Sequence, residues 1–258
     1  MTDLRNFNPY STTCLPGFSS DDIPKEKQTT LLMYDDLTKS LDKLKGLRIR
    51  RLLNLGCGRA ALSRAIAGHL SIPEVCGVDV DPVKLEVARR RIPVVRADLE
   101  FGLPFCDKTF DLVTVFGVFE HLRFFDDPIK EVHRVLRDGG FFLVCLPNLG
   151  SYVNRILFLF GYQPRNVEIS RLTVAGVARQ YYEKDLAPIA HIHTATLRAL
   201  TELLEFHGFR VFSVRGGSPR FEGLKNSLPM RILDFLAATR PSLSRRIFVL
   251  ARKATNLS

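Results

Sequence analysis

Short apolar runs and helical patterns alternate along most of the chain. Arg51–Leu55, Val75–Asp79, Pro93–Ala97, Phe110–Phe116, Gly140–Leu146, Phe209–Val214 and Arg245–Ala251 are apolar runs that read as strands. Between them lie helical patterns. Ala60–Leu70 follows the first run, and Pro82–Ile92 carries proline at its first turn. Pro128–Arg137 sets Ile129, Val132 and Leu136 on one face; Thr194–His207 does the same with Leu197, Leu200 and Leu204, and Gly208 stops it. Further helices are expected at Glu26–Lys45, where Leu31, Leu37, Leu41 and Leu44 recur, and at Pro229–Thr239. Strands alternating with helices imply crossover connections. The expected fold is α/β: a doubly wound, mostly parallel seven-stranded sheet with helices on both faces.

The rhythm breaks after Pro147-Asn148. Residues 149–190 read as an insertion, with a helical Tyr152–Phe160 followed by loop chemistry at Pro164–Ser170. Residues 1–24 carry Pro9, Pro16, Gly17 and Pro24 and read as an irregular arm. The expected organisation is an arm and helix over 1–47 and one domain over 48–258, with the insertion as a lid and acceptor pocket. There, Ile156, Leu157, Leu159 and Phe160 either line an apolar cavity, touch a membrane interface or pack on the core.

Composition narrows the classes. The 258 residues suffice for one large domain, and 46% hydrophobic with 25% charged is ordinary for a globular protein. The longest apolar runs, Phe141–Leu146 and Ile156–Tyr162, fall well short of the roughly 20 residues that span a bilayer. No signal peptide is read at the N-terminus. Cys14, Cys57, Cys76, Cys106 and Cys145 show no CxxC spacing, which argues against a disulfide framework or a zinc site. A cytoplasmic location is expected. The net charge of +10 is uneven: residues 210–258 hold ten Lys/Arg against two Asp/Glu, so they supply +8 of it. That asymmetry suggests an anionic partner or a peripheral membrane contact through the basic C-terminal region, or else a solvated basic face.

The candidate chemistry begins where the first strand ends. Leu55-Gly56-Cys57-Gly58-Arg59-Ala60 is a Gly-rich turn into a helix, which lets a backbone approach a ligand with no Cβ in the way. Alone it is weak evidence, since a structural tight turn is a competing reading. The second strand ends in Gly77-Val78-Asp79, about 20 residues on, where a carboxylate can accept both hydroxyls of a ribose. This pair suits either a nicotinamide dinucleotide or S-adenosylmethionine in a Rossmann-like sheet.

Further motifs follow in order: Asn54-Leu55-Gly56-Cys57-Gly58, Gly77-Val78-Asp79, Ala97-Asp98, Phe110-Asp111-Leu112-Val113, Glu120-His121, Arg134-Val135-Leu136-Arg137-Asp138-Gly139-Gly140 and Pro147-Asn148. The series resembles class I S-adenosylmethionine-dependent methyltransferases of the small-molecule, quinone and glycan type, over about residues 48–215. The resemblance implies S-adenosylmethionine as cofactor. It places Gly56 and Gly58, with Cys57 between them, against the methionine part, Asp79 on the ribose, and Asp98 on the adenine amino group. Leu99 and Val80 would flank the ring, and Phe116 would sit at the methionine end. Two departures stand out: Asn54 where family members usually have a carboxylate, and Ala60 where they usually have glycine. Asn54 can still accept from the cofactor's ammonium, without charge assistance.

His121, His191 and His193 are the candidate bases; for His121 the competing reading is a histidine bonded to backbone near Glu120. No metal is expected, because a lone Glu120-His121 pair is too little for a site. The expected function is methyl transfer to a small-molecule, glycan or lipid-linked acceptor, with a hydroxyl as the receiving group. The alternatives are a nucleic-acid methyltransferase, favoured by the basic charge but not by any appended RNA-binding module, a non-catalytic subunit that keeps the fold, and, more distantly, a nicotinamide dehydrogenase.

Overall fold

The computed structural model of the chain describes residues 36–179, 186–217, 233–234, 236–237 and 239–255. Helix α1 occupies 36–41 and runs into a 3-10 turn at Asp42–Leu44. Then follow β1 (Arg51–Leu55), α2 (Ala61–Leu70), β2 (Glu74–Asp79), α3 (Pro82–Ala88), β3 (Val94–Arg96), β4 (Phe110–Phe116) and α4 (Asp126–Val135). After them come β5 (Leu136–Pro147), α5 (Tyr152–Leu159), α6 (Leu197–Phe206), β6 (Phe209–Gly217) and β7 (Arg246–Lys253).

The seven strands form one sheet in the order β3-β2-β1-β4-β5-β7-β6. Strands β1 to β5 pair in parallel, and β7 runs antiparallel to both β5 and β6. Because side chains alternate along a strand, each central strand feeds both faces. Leu52, Leu112, Leu143 and Leu250 meet Leu37 and Leu41 of α1 and Ile66 of α2 on one side. Leu53, Val113, Val144 and Val249 meet Ile129 and Val132 of α4 and Leu200 and Leu204 of α6 on the other. Each such side chain contributes roughly 1.5–3 kcal/mol by leaving water. The sheet is therefore a rigid platform, and the loops at its ends are free to carry chemistry.

Several polar motif residues lie at the opposite end of the strands from the Gly-rich turn and lock the frame. The Asp111 carboxylate accepts from the backbone N–H groups of Arg50 and Arg51, each at 2.9 Å, and from Arg137 Nη1 at 3.0 Å. Arg134 donates to the carbonyls of Leu103 and Phe105 and to Glu131 and Asp107, which fixes the loop between β3 and β4. The buried Lys253 ammonium donates to the carbonyls of His133 and Leu136, at the carboxyl end of α4 where the helix dipole favours a cation.

Several element boundaries differ from expectation, and three of them have a clear physical reason. The helix expected over Pro128–Arg137 ends at Val135, because Leu136 pairs with Phe110 and opens β5 four residues before Gly140. The helix expected to reach Ile92 stops at Ala88, and a turn through Arg89–Arg91 drops Ile92 into a small cluster with Ala60 and Ala88. The strand expected over Phe209–Val214 runs on to Gly217 through its pairing with β7. The N-terminal arm, Leu31 and much of the helix expected at Pro229–Thr239 lie outside the described residues; of the latter, 233, 234, 236 and 237 are helical.

Candidate functional site

Strand order reverses between β1 and β4, so the loops leaving these two strands part and leave a crevice at the carboxyl edge of the sheet. The turn after β1 carries φ of +65° at Gly56, +55° at Gly58 and +63° at Ala60. At Gly58 an added Cβ would meet nothing within 4 Å, so the backbone there faces open space into which a ligand can approach. Gly56 has a different reason to be glycine. A Cβ there would come within 2.2 Å of Val118 Cγ2, so the loop after β4 closes directly onto the turn. Ala60 is fully buried against Ala88 and Ile92 and holds a left-handed backbone that costs an L-residue roughly 1–2 kcal/mol. Its methyl is therefore a packing group beneath the turn.

Asp79 ends β2 and faces this turn. Its Oδ2 accepts from the Gly58 N–H at 2.8 Å and its Oδ1 from the Asp81 N–H at 3.0 Å. The carboxylate thus holds up the glycine turn. Val80, beside it, is 56% exposed, an unusual state for a valine at the end of a buried strand. Asp81 caps α3 by accepting from the N–H groups of Val83 and Lys84. After β3, Asp98 accepts from the Glu100 N–H at 3.0 Å and shapes its own turn, and Leu99 is buried. Phe116, half-buried, closes β4.

Gly56, Gly58, Asp79, Val80, Asp98 and Phe116 therefore gather along one edge of the sheet. Two expected contributors lie beneath it. The Asn54 side chain, 2% exposed, donates to Ser63 Oγ at 2.7 Å and accepts from Thr114 Oγ1 at 3.2 Å, joining β1, α2 and β4. Its amide serves the frame. Cys57 packs over Gly77, where a Cβ would lie 2.6 Å from its sulfur. Burial, then the nearby Asp79 charge, push the Cys57 thiol up to about 12, so it is an inert packing group.

The three histidines meet at the loop after β4. His121 Nδ1 bonds the Ala190 carbonyl at 2.9 Å, and His193 Nε2 bonds the Leu122 carbonyl at 2.7 Å. A carbonyl only accepts, so each of these nitrogens carries the hydrogen. With the Ile192 N–H donating to the Glu120 carbonyl at 2.8 Å, they stitch residues 190–193 to 120–122. His191 stands edge-on to His121, with ring centroids 4.9 Å apart. Its Nε2 lies 3.9 Å from the Glu120 carboxylate, too far for a hydrogen bond. Burial, then His121, Arg246 and Arg165, push His191 down to about 3. It stays neutral at ordinary pH and is a poor proton acceptor. His193 is committed to backbone and to the face of Phe125. His121 is exposed, and its Nε2 is the nitrogen left to take a proton.

Two contributors escape sequence reasoning. Val118 seals the glycine turn, and its only signal is its place after Gly117 at the end of a strand. Glu168 accepts from the N–H groups of Ile189 and Ala190 and so anchors the strip that carries the histidines. A lone glutamate in a loop gives no sequence signal for that.

The open backbone at Gly58, the carboxylates of Asp79 and Asp98 and the exposed Val80 fit a nucleoside with an attached amino-acid chain: apolar contact for a base, acceptors for hydroxyl and amino groups, and a bare turn for the chain. Comparisons with known proteins agree. A family described as "Methyltransferase domain" matches residues 53–144. A Mycolicibacterium smegmatis protein described as "Probable S-adenosylmethionine-dependent methyltransferase" is 34% identical over 173 residues, covering 65% of this chain and 54% of the relative. A demethylmenaquinone methyltransferase of Chlorobaculum parvum is 28% identical over 159 residues, 50% of this chain and 63% of the relative. The chain thus spans less than two thirds of either relative. Among solved structures, a SAM dependent methyltransferase from Archaeoglobus fulgidus superposes with a TM-score of 0.57 at 19% identity, over 86% of this chain and 94% of that one. The matched domain and the shared fold agree: residues 53–144 match the methyltransferase domain family, and the sheet has the fold of solved S-adenosylmethionine-dependent methyltransferases.

Proposed function

We propose that the chain transfers a methyl group from S-adenosylmethionine to a small-molecule, glycan or lipid-linked acceptor, with a hydroxyl oxygen as the receiving atom. The observation that carries this reading is the bare backbone at Gly58 held by the Asp79 carboxylate at the switch point of the sheet. The demethylmenaquinone methyltransferases among the relatives lend weight to an apolar small-molecule acceptor.

When bound, the cofactor supplies an electrophilic methyl group on a sulfonium. The work left to the protein is alignment of the acceptor and exclusion of water. Asp79 takes the ribose hydroxyls, Asp98 the adenine amino group, and Val80 and Leu99 flank the ring. Gly56, Gly58 and Phe116 border the methionine end. His121 Nε2 accepts the proton that the acceptor hydroxyl gives up, and the bond from Nδ1–H to Ala190 orients the ring. We place the start of the catalytic domain at about residue 48, with the described part of 149–190 covering the acceptor.

The test is thermal unfolding with S-adenosylhomocysteine, which stabilises only a folded state that binds it. A rise in melting temperature with this ligand and none with NAD is expected. No shift with it and a clear shift with NAD would overturn the assignment.

A further inference from the structure

The helix that opens the insertion is turned inside out. In α5, Leu157 and Asn154 face inward, while Ile156, Phe158, Leu159 and Phe160 face solvent, Leu159 at 80% and Phe160 at 70% exposure. A surface helix normally buries its apolar arc. Single exposed hydrophobic residues are common, but four within five positions make a contiguous patch that calls for a partner.

A second segment joins this patch. Tyr152, the first residue of α5, donates its hydroxyl to Asp234 Oδ1 at 2.7 Å. Arg245 Nε lies 2.7 Å from the same oxygen, and its guanidinium sits 6.0 Å from the Tyr152 ring centroid. The trio, in which Asp234 and Arg245 are buried, fastens the helical residues around Asp234 to α5, and from those residues Leu233 and Leu236 also face solvent. Both segments lie at the carboxyl edge of the sheet. Helix α5 follows the end of β5 at Pro147, and Arg245 precedes Arg246, which pairs with Pro147.

Charge identifies the partner. Residues 149–179 hold four arginines and one carboxylate, Glu168, whose side chain is 7% exposed. Arg155 lies exposed on α5, and Arg240, three residues before the Leu243 carbonyl that accepts from the Tyr152 N–H, is exposed as well, while Asp234 is buried. A second copy of the chain would oppose like charges. A nucleic acid would answer the arginines but leave the phenylalanine and leucine side chains without an apolar counterpart. A bilayer with anionic headgroups answers both. No helix among the described residues is long and apolar enough to cross a membrane, so the contact is lateral.

We propose that the outer face of α5 and the helical residues around Asp234 dock on an anionic lipid bilayer, turning the carboxyl edge of the sheet toward the membrane. The acceptor class that follows is an apolar molecule resident in the bilayer. That last step rests on the methyltransferase reading; the docking itself does not.

The test is co-sedimentation of the full chain with vesicles of phosphatidylcholine alone or mixed with phosphatidylglycerol, at low and high salt. The probe variant is the double substitution Phe158→Ser/Leu159→Ser, in which both side chains are exposed and folding is undisturbed. The wild type is expected to bind the mixed vesicles in a salt-weakened manner, and the double variant to lose about tenfold or more in partitioning. Absence of vesicle binding overturns the proposal. So does equal binding by both proteins, or self-association of the wild type that the double variant abolishes. Thermal shifts with S-adenosylhomocysteine on the same samples separate the two readings. A retained shift without vesicle binding sinks only the docking; vesicle binding without a shift sinks only the cofactor assignment.

Discussion

Asp79 supports the glycine turn and, under the proposed function, holds the ribose; substitution separates the two. Its carboxylate accepts from the Gly58 N–H and the Asp81 N–H. A hydrogen bond to a charged group contributes about 1.5–3 kcal/mol, and Asp79→Ala leaves both donors to whatever water can reach them. We predict a loss of about 2–4 kcal/mol in unfolding free energy without any ligand, read by urea denaturation. The ribose role adds a second cost. Loss of two hydroxyl contacts weakens S-adenosylhomocysteine binding by about 2–4 kcal/mol, roughly 30- to 1000-fold in Kd by calorimetry. Asp79→Asn keeps one acceptor oxygen and no charge, so it falls between wild type and Asp79→Ala in both assays. An unchanged ligand-free stability in Asp79→Ala refutes the support of the glycine turn. A lowered stability with unchanged affinity refutes the ribose role.

His191 sets a pH dependence. Its folded value lies near 3 against 6.5 for the free side chain, so the unfolded chain binds the extra proton. Its contribution to stability is complete above the unfolded value and is lost as pH falls below it; between pH 6.5 and 5 this amounts to about 1.5 kcal/mol, which His191→Gln removes from the urea-derived pH profile. Equal profiles for the two proteins would refute the burial argument. Arg134→Ala frees the loop that its guanidinium holds through Leu103 and Phe105 and costs about 1–3 kcal/mol, and lysine, lacking the planar fork, does not restore it. A stable Arg134→Lys protein contradicts this. Phe160→Ala changes stability by less than about 0.5 kcal/mol, because the ring is already in solvent. A loss near the roughly 3–5 kcal/mol typical of a core phenylalanine would show that the ring packs inside.

What the sequence disclosed divides along physical lines. Strands buried on both faces announce themselves as apolar runs, so β1 and β4 were expected with the bounds they have. The extension of β5 back to Leu136 was hidden, because Arg137-Asp138-Gly139-Gly140 reads as a turn and the pairing partner, Phe110, is distant in sequence. The glycine turn was legible because the left-handed backbone at Gly56 and Gly58 favours glycine. The fate of the histidines was not, since the carbonyls of Ala190 and Leu122 that hold them come from tertiary approach.

Asn54 shows the same limit from the other side. The resemblance implies a carboxylate at this position, where the chain has an amide without its charge. In the fold it is a buried group between two hydroxyls, donating to Ser63 and accepting from Thr114. An amide offers one donor and one acceptor to such a pair, whereas a carboxylate there would need both hydroxyls to donate and would carry a charge into an apolar setting. The partners lie 9 and 60 residues away, so no local pattern reveals the match. Asparagine is thus suited to its surroundings, and the departure at this position does not by itself argue for a degenerate site.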